Sequence, residues 1–99
     1  MIMIHQLKIK ANYFEDVVSR KKTFEIRKND RAFHLGDYLA LNELNDNGIL
    51  TGRSALFRVT YLLDDKDFIK EGYVVLGITA CKVTNMGADE KPSILKEGV

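Results

Sequence analysis

The Asn45-Asp46-Asn47-Gly48 tetrapeptide constrains this chain more than any other stretch. Asparagine and glycine accept the positive φ that a tight hairpin turn requires. Tyr38 to Leu44, before it, reads as a strand. After it, Ala55, Phe57, Val59, Tyr61 and Leu63 alternate with Ser54, Leu56, Arg58, Thr60 and Leu62, so a long or bent strand is expected from Gly52 to Leu63. With such a hairpin at its centre, the chain is committed to a sheet.

The flanks add to that sheet. Ile2 to Lys10 alternates, with His5 on the same parity as Leu7 and Ile9, and Tyr73 to Val83 is a last long apolar run. Asn12 followed by Glu15 has the form of a helix cap, and Phe14, Val17 and Val18 then fall at i, i+3 and i+4, which predicts a short amphipathic helix over residues 12–20. Residues 22–28 follow as a strand. Asp64 to Asp67 is expected to begin a short helical turn ending near Gly72. About five or six strands with one or two short helices, joined mostly by short turns, imply an α+β domain whose curved sheet closes towards a small barrel. From Thr84 onward the periodicity dissolves, so a domain over residues 1–83 and a loosely ordered tail over 84–99 are expected.

Ninety-nine residues, 45% of them hydrophobic, suffice for one core without disulfides or metals. A single cysteine, Cys81, excludes an internal disulfide and any zinc site of several thiolates. His5 and His34 complete no metal motif, and neither a cofactor nor a metal is expected. No run of eighteen apolar residues and no charged-then-apolar leader is visible, which leads us to expect a cytoplasmic protein.

Charge is distributed unevenly. Residues 20–31 carry a net +4 in a chain whose overall charge is +1, so the remainder nets −3. A basic island on a mildly acidic body attracts a polyanion locally. Within it, Thr23, Glu25 and Arg27 share one face of the expected strand, with Lys22, Phe24 and Ile26 on the other. Glu25 and Arg27 are then roughly 7 Å apart at Cα, close enough to pair or to share a ligand. A glutamate accepts, an arginine offers a planar donor fork and Lys22 adds a mobile cation, a set suited to a base edge and a phosphate. A structural ion pair is the plainer reading of the same spacing. Tyr61 and Tyr73, whose hydroxyls need partners if buried, are the better aromatic candidates for lining a cleft, together with His5. There is no glycine-rich phosphate loop and no nucleophile elbow. Lys22 as base, with Thr23 or a water as nucleophile, is what a hydrolase would draw on.

The run Lys22-Thr23-Phe24-Glu25-Ile26-Arg27 resembles the G-x-K-x-x-E-x-R signature of the ASCH domains, with Lys22, Glu25 and Arg27 at its K, E and R positions. Arg20 stands where the signature has glycine. His5 to Ile9, Asn29 to Arg31 with Phe33, Gly36-Asp37, Thr51 to Arg53, Val59 to Tyr61 and Glu71 to Val74 extend the resemblance over residues 4–79, towards a small bacterial and phage branch. The resemblance implies a PUA-like bent pseudo-barrel and a cleft for RNA or a nucleotide, bound by Lys22, Glu25 and Arg27 with Arg31 and Arg53 widening the cationic rim. Some relatives of that kind are amidohydrolases acting on N-acylated cytidine through a lysine, a threonine and a glutamate. Their threonine falls three residues after the lysine, which is Glu25 here, and Thr23 is out of register. A binding module is therefore the leading expectation and an acylcytidine amidohydrolase the alternative.

Overall fold

A computed structural model describes residues 2–81. Five strands and one helix follow in the order β1 (Ile4–Lys10), α1 (Ala11–Val18), β2 (Phe24–Lys28), β3 (Tyr38–Leu44), β4 (Leu50–Leu63) and β5 (Tyr73–Ala80). They form one mixed sheet ordered β1-β3-β4-β5-β2, curled into a half-barrel. The expected hairpin joins β3 to β4. Asn45 N–H donates to Ile49 O, Asn45 Oδ1 accepts from Asn47 and Ile49 N–H, and Gly48 takes φ 75°.

The pairing of β1 is the topological decision. It runs parallel to β3, with His5 opposite Leu39 and Leu7 opposite Leu41, while β2 pairs antiparallel with β5 at the far side of the sheet. Consecutive strands thus become opposite edges, and α1 carries the chain from one edge to the other. Phe14 and Val17 of α1 enter the core with Leu7, Leu39, Leu41, Phe57, Val59 and Leu76. Each buried side chain of this size contributes roughly 1.5–3 kcal/mol. Residues of β2 are absent from that core. Its inward position is Glu25, whereas Phe24 and Ile26 face outward, Ile26 at 57% exposure.

Several expected boundaries are corrected. The helix spans residues 11–18 rather than 12–20, and its N-cap is Lys10, with no side-chain capping bond. Because Lys10 is the last, extended residue of β1, strand passes into helix without a loop, and Asn12 lies inside the first turn. Strand β2 begins at Phe24, so Lys22 is outside it. The segment after Asp64 forms the short turn expected there, with Phe68 and Ile69 N–H donating to Asp65 O, and does not extend into a helix. β5 ends at Ala80; the remainder of the expected last strand and the expected tail lie outside the described residues.

Arg20 resolves the absent glycine. It follows the helix C-cap Ser19 with φ 67°, the left-handed conformation that usually selects glycine, and its N–H donates to Val17 O while Lys22 N–H donates to Asp16 O. The left-handed turn is made by an arginine, and it returns Lys22 over the start of β2.

Candidate functional site

The inward position on β2 sets the site. A carboxylate taken into the half-barrel needs partners, and Glu25, 3% exposed, receives a cation on each oxygen. Lys22 Nζ donates to Oε1 at 2.5 Å, and Arg27 approaches Oε2 through Nε at 2.9 Å and Nη2 at 2.7 Å. Lys22 reaches the carboxylate because it precedes the strand; continued strand geometry would have placed it on the opposite face. Its ammonium also donates to Phe24 O at 2.8 Å, and Arg27 Nη2 crosses to Lys8 O of β1 at 2.9 Å. The two edges of the sheet are therefore linked by an arginine side chain.

Beside this triad opens a cleft of about 510 Å³ between β1 and β2, with Lys8, Lys10, Lys22 and Arg27 around the single carboxylate of Glu25. Tyr13 and Phe24, both substantially exposed, stand on its walls, and the Lys22 ammonium lies 5.4 Å and 4.9 Å from their ring centroids. Of the three Lys22 donors, two are directed at protein oxygens. Arg27 Nη1 makes no hydrogen bond among the described residues. Each oxygen of Glu25 accepts from a neighbouring cation, so the carboxylate holds Lys22 and Arg27 in place. What remains at the triad is a pair of positioned donors carrying net positive charge.

Residues 4–78 match the family described as a domain of unknown function, DUF3850. The chain belongs to that family. It is also 42% identical, over 76 residues, to an uncharacterised 12.9 kDa protein in the GpA 3′ region of Escherichia phage P2; the match covers 77% of this chain and 68% of the phage protein. Lys22, Glu25 and Arg27 all fall within the matched family region.

The other residues singled out in the sequence are dispersed by the fold. Arg31 lies against a second cleft of about 790 Å³, formed by the first half of β1 and residues 31–35, and donates to Gln6 O at 3.5 Å. Arg53 stands away from both clefts. It pairs with Glu15 at 2.8 Å and Glu43 at 3.5 Å and covers the Phe14 ring; the hydrogen bond to Glu15 raises its affinity for its proton, opposed by burial and aided by Glu43. Tyr61, 62% exposed, lies on the outer face above Gly77, where a Cβ would meet the tyrosine Cβ at 3.0 Å. Tyr73 sits under Lys70. Neither tyrosine lines either cleft, whereas Tyr13 and Phe24, which were not singled out as cleft candidates, line the first. Thr23 lines a smaller hollow of about 80 Å³, which Lys22 also borders, and its carbonyl accepts from Ile78 N–H.

His5 is buried and bonded to Asp37 at 2.8 Å between Nε2 and Oδ2. Met3 and His34 N–H also donate to the Asp37 carboxylate, and Phe33 stacks obliquely on the imidazole. Burial pushes the Asp37 carboxyl up, but the hydrogen bonds from His5, Met3 and His34 outweigh it and leave the group below its ordinary value. Sequence reading had not identified Asp37 as this partner. The available signal was a histidine on the parity of core residues, which demands a partner without naming it. Among the described residues no group of three metal-ligating side chains occurs, and no helix is long and apolar enough to cross a membrane.

Proposed function

We propose that this domain is a PUA-like, ASCH-related module that binds RNA or a modified nucleotide in the cleft between β1 and β2. One observation carries the reading: Lys22 and Arg27 are both held by a buried glutamate, yet each keeps donor capacity beside an open cleft walled by two exposed aromatic rings. A purely structural ion pair has no need of such an opening. Phosphate oxygens and base carbonyls suit the donors, and a single-stranded or flipped-out base suits the Tyr13 and Phe24 walls. The half-barrel and the resemblance around Lys22 to Arg27 support the PUA-like assignment.

The amidohydrolase alternative draws less from this geometry. Lys22 donates to two oxygens, and Thr23 does not line the cleft, so a Lys22–Thr23 pair is not assembled there. Short single-stranded RNAs titrated at two salt concentrations test the binding reading. Arg27→Ala is expected to weaken binding about tenfold and to lower the magnitude of the salt slope by about 0.7, the value for one phosphate contact to a single strand. An RNA that does not bind, or binding indifferent to both salt and substitution, removes the proposal.

A further inference from the structure

We infer that the nucleic-acid site extends along the free edge of β1 and holds two consecutive nucleotides, the second in the cleft beside Arg31. This rests on the binding reading above and adds to it a direction and a site size.

β1 has β3 on one side only, so its other edge presents backbone groups that the sheet does not use. Two of its carbonyls, of Lys8 and Gln6, are met by arginines: Arg27 Nη2 at 2.9 Å and Arg31 Nη1 at 3.5 Å. Residues two apart on a strand place those carbonyls about 7 Å from each other, so the arginines stand in a row along one edge. The clefts follow the same row. The first is lined by Lys8 to Lys10, the second by Ile2 to Gln6, with Arg27 on one and Arg31 on the other.

Arg31 is available for such a contact. Among the described residues its one acidic partner is Asp30 at 3.7 Å, both side chains are well exposed, and an exposed pair of this kind holds an arginine weakly. The second cleft also offers the exposed His34 imidazole and the apolar Ile4 and Leu35 side chains, surfaces on which a base face can rest. A single strand laid along β1 would meet, in order, Arg31 and then Arg27, each with an aromatic or apolar wall beside it.

The probes are 5′-uridine monophosphate and the 5′-phosphorylated uridine dinucleotide, titrated against the whole chain at several salt concentrations. The dinucleotide is expected to bind about tenfold more tightly, with a salt slope about 0.7 larger in magnitude. Arg31→Ala should reduce the gain of dinucleotide over mononucleotide to less than about threefold and remove the added slope, and Arg31→Lys should restore the slope. Thermal unfolding of both variants, expected to match the native protein because Arg31 is exposed, separates lost contact from lost fold. Mononucleotide binding without a gain for the dinucleotide, or a gain that Arg31→Ala leaves intact, overturns the two-nucleotide site and leaves the first cleft standing. Failure of both probes to bind overturns the two proposals together.

Discussion

Asp37 and Glu25 are both carboxylates buried in the same half-barrel, and they are satisfied in opposite ways. Asp37, 1% exposed, receives two backbone N–H groups and one buried imidazole. Its partners are part of the framework, and the pair latches the start of β1 to the turn before β3. Glu25 is held by two long cationic side chains rooted on either side of it, each retaining donors beside a cleft. A carboxylate satisfied from the backbone stabilises a fold. One satisfied by side-chain cations leaves those cations at the wall of a cleft.

Removing each carboxylate tests that contrast most directly. Asp37→Ala strands the buried His5 ring, leaves two part-buried N–H groups unpaired and is expected to cost about 3–5 kcal/mol. Thermal unfolding should then fall by more than about 10 °C. Glu25→Gln should cost less, about 1–2 kcal/mol, because Lys22 and Arg27 can turn their charges to water. Its principal effect should be on affinity for single-stranded RNA, which falls as both donors lose their anchor. Equal stability losses for the two substitutions would break the comparison.

Acid sharpens it further. The Asp37 carboxyl lies below its ordinary value in the folded chain, so it contributes stability that is present above the unfolded carboxylate pKa of about 4 and is lost as pH falls through the folded value. Urea midpoints measured from pH 5 downward should decline less steeply in Asp37→Asn than in the native protein. An unchanged slope would show that the latch is not the titrating element.

The smallest effect is expected at Arg20. A left-handed arginine carries a steric cost of about 1–2 kcal/mol that glycine avoids, partly offset by the greater freedom of glycine in the unfolded chain. Arg20→Gly should therefore stabilise the domain by about 0.5–1 kcal/mol in urea unfolding. A loss of stability there would mean that the arginine side chain contributes more than its backbone costs.

Much of the fold was legible in residue order. The central hairpin, the alternation of β1 and the Phe14 and Val17 stripe depend on contacts close in sequence, and each appears in the structure within a few residues of its expected place, whereas the alternation expected along β4 breaks at a register shift between Val59 and Tyr61 that turns Tyr61 outward. Glu25 and Arg27 sharing a face follows from the same period of two. Lys22 joining them did not follow, since its position depends on the left-handed turn at Arg20 and on where β2 begins. Tyr13 and Phe24 could not be selected from the four tyrosines and five phenylalanines without knowing which edges meet.

The basic island and its Lys22, Glu25 and Arg27 were determined by the sequence alone, because charge and side-chain period are local properties of the chain. Which side of the sheet Glu25 enters, and what stands opposite it, was decided only when β1 paired with β3 and β2 with β5. Those pairings bury Leu7, Ile9 and Leu76 in one core across long separations in sequence, a term that no short window contains. The cleft is the gap left between the two strands that this burial placed at opposite edges.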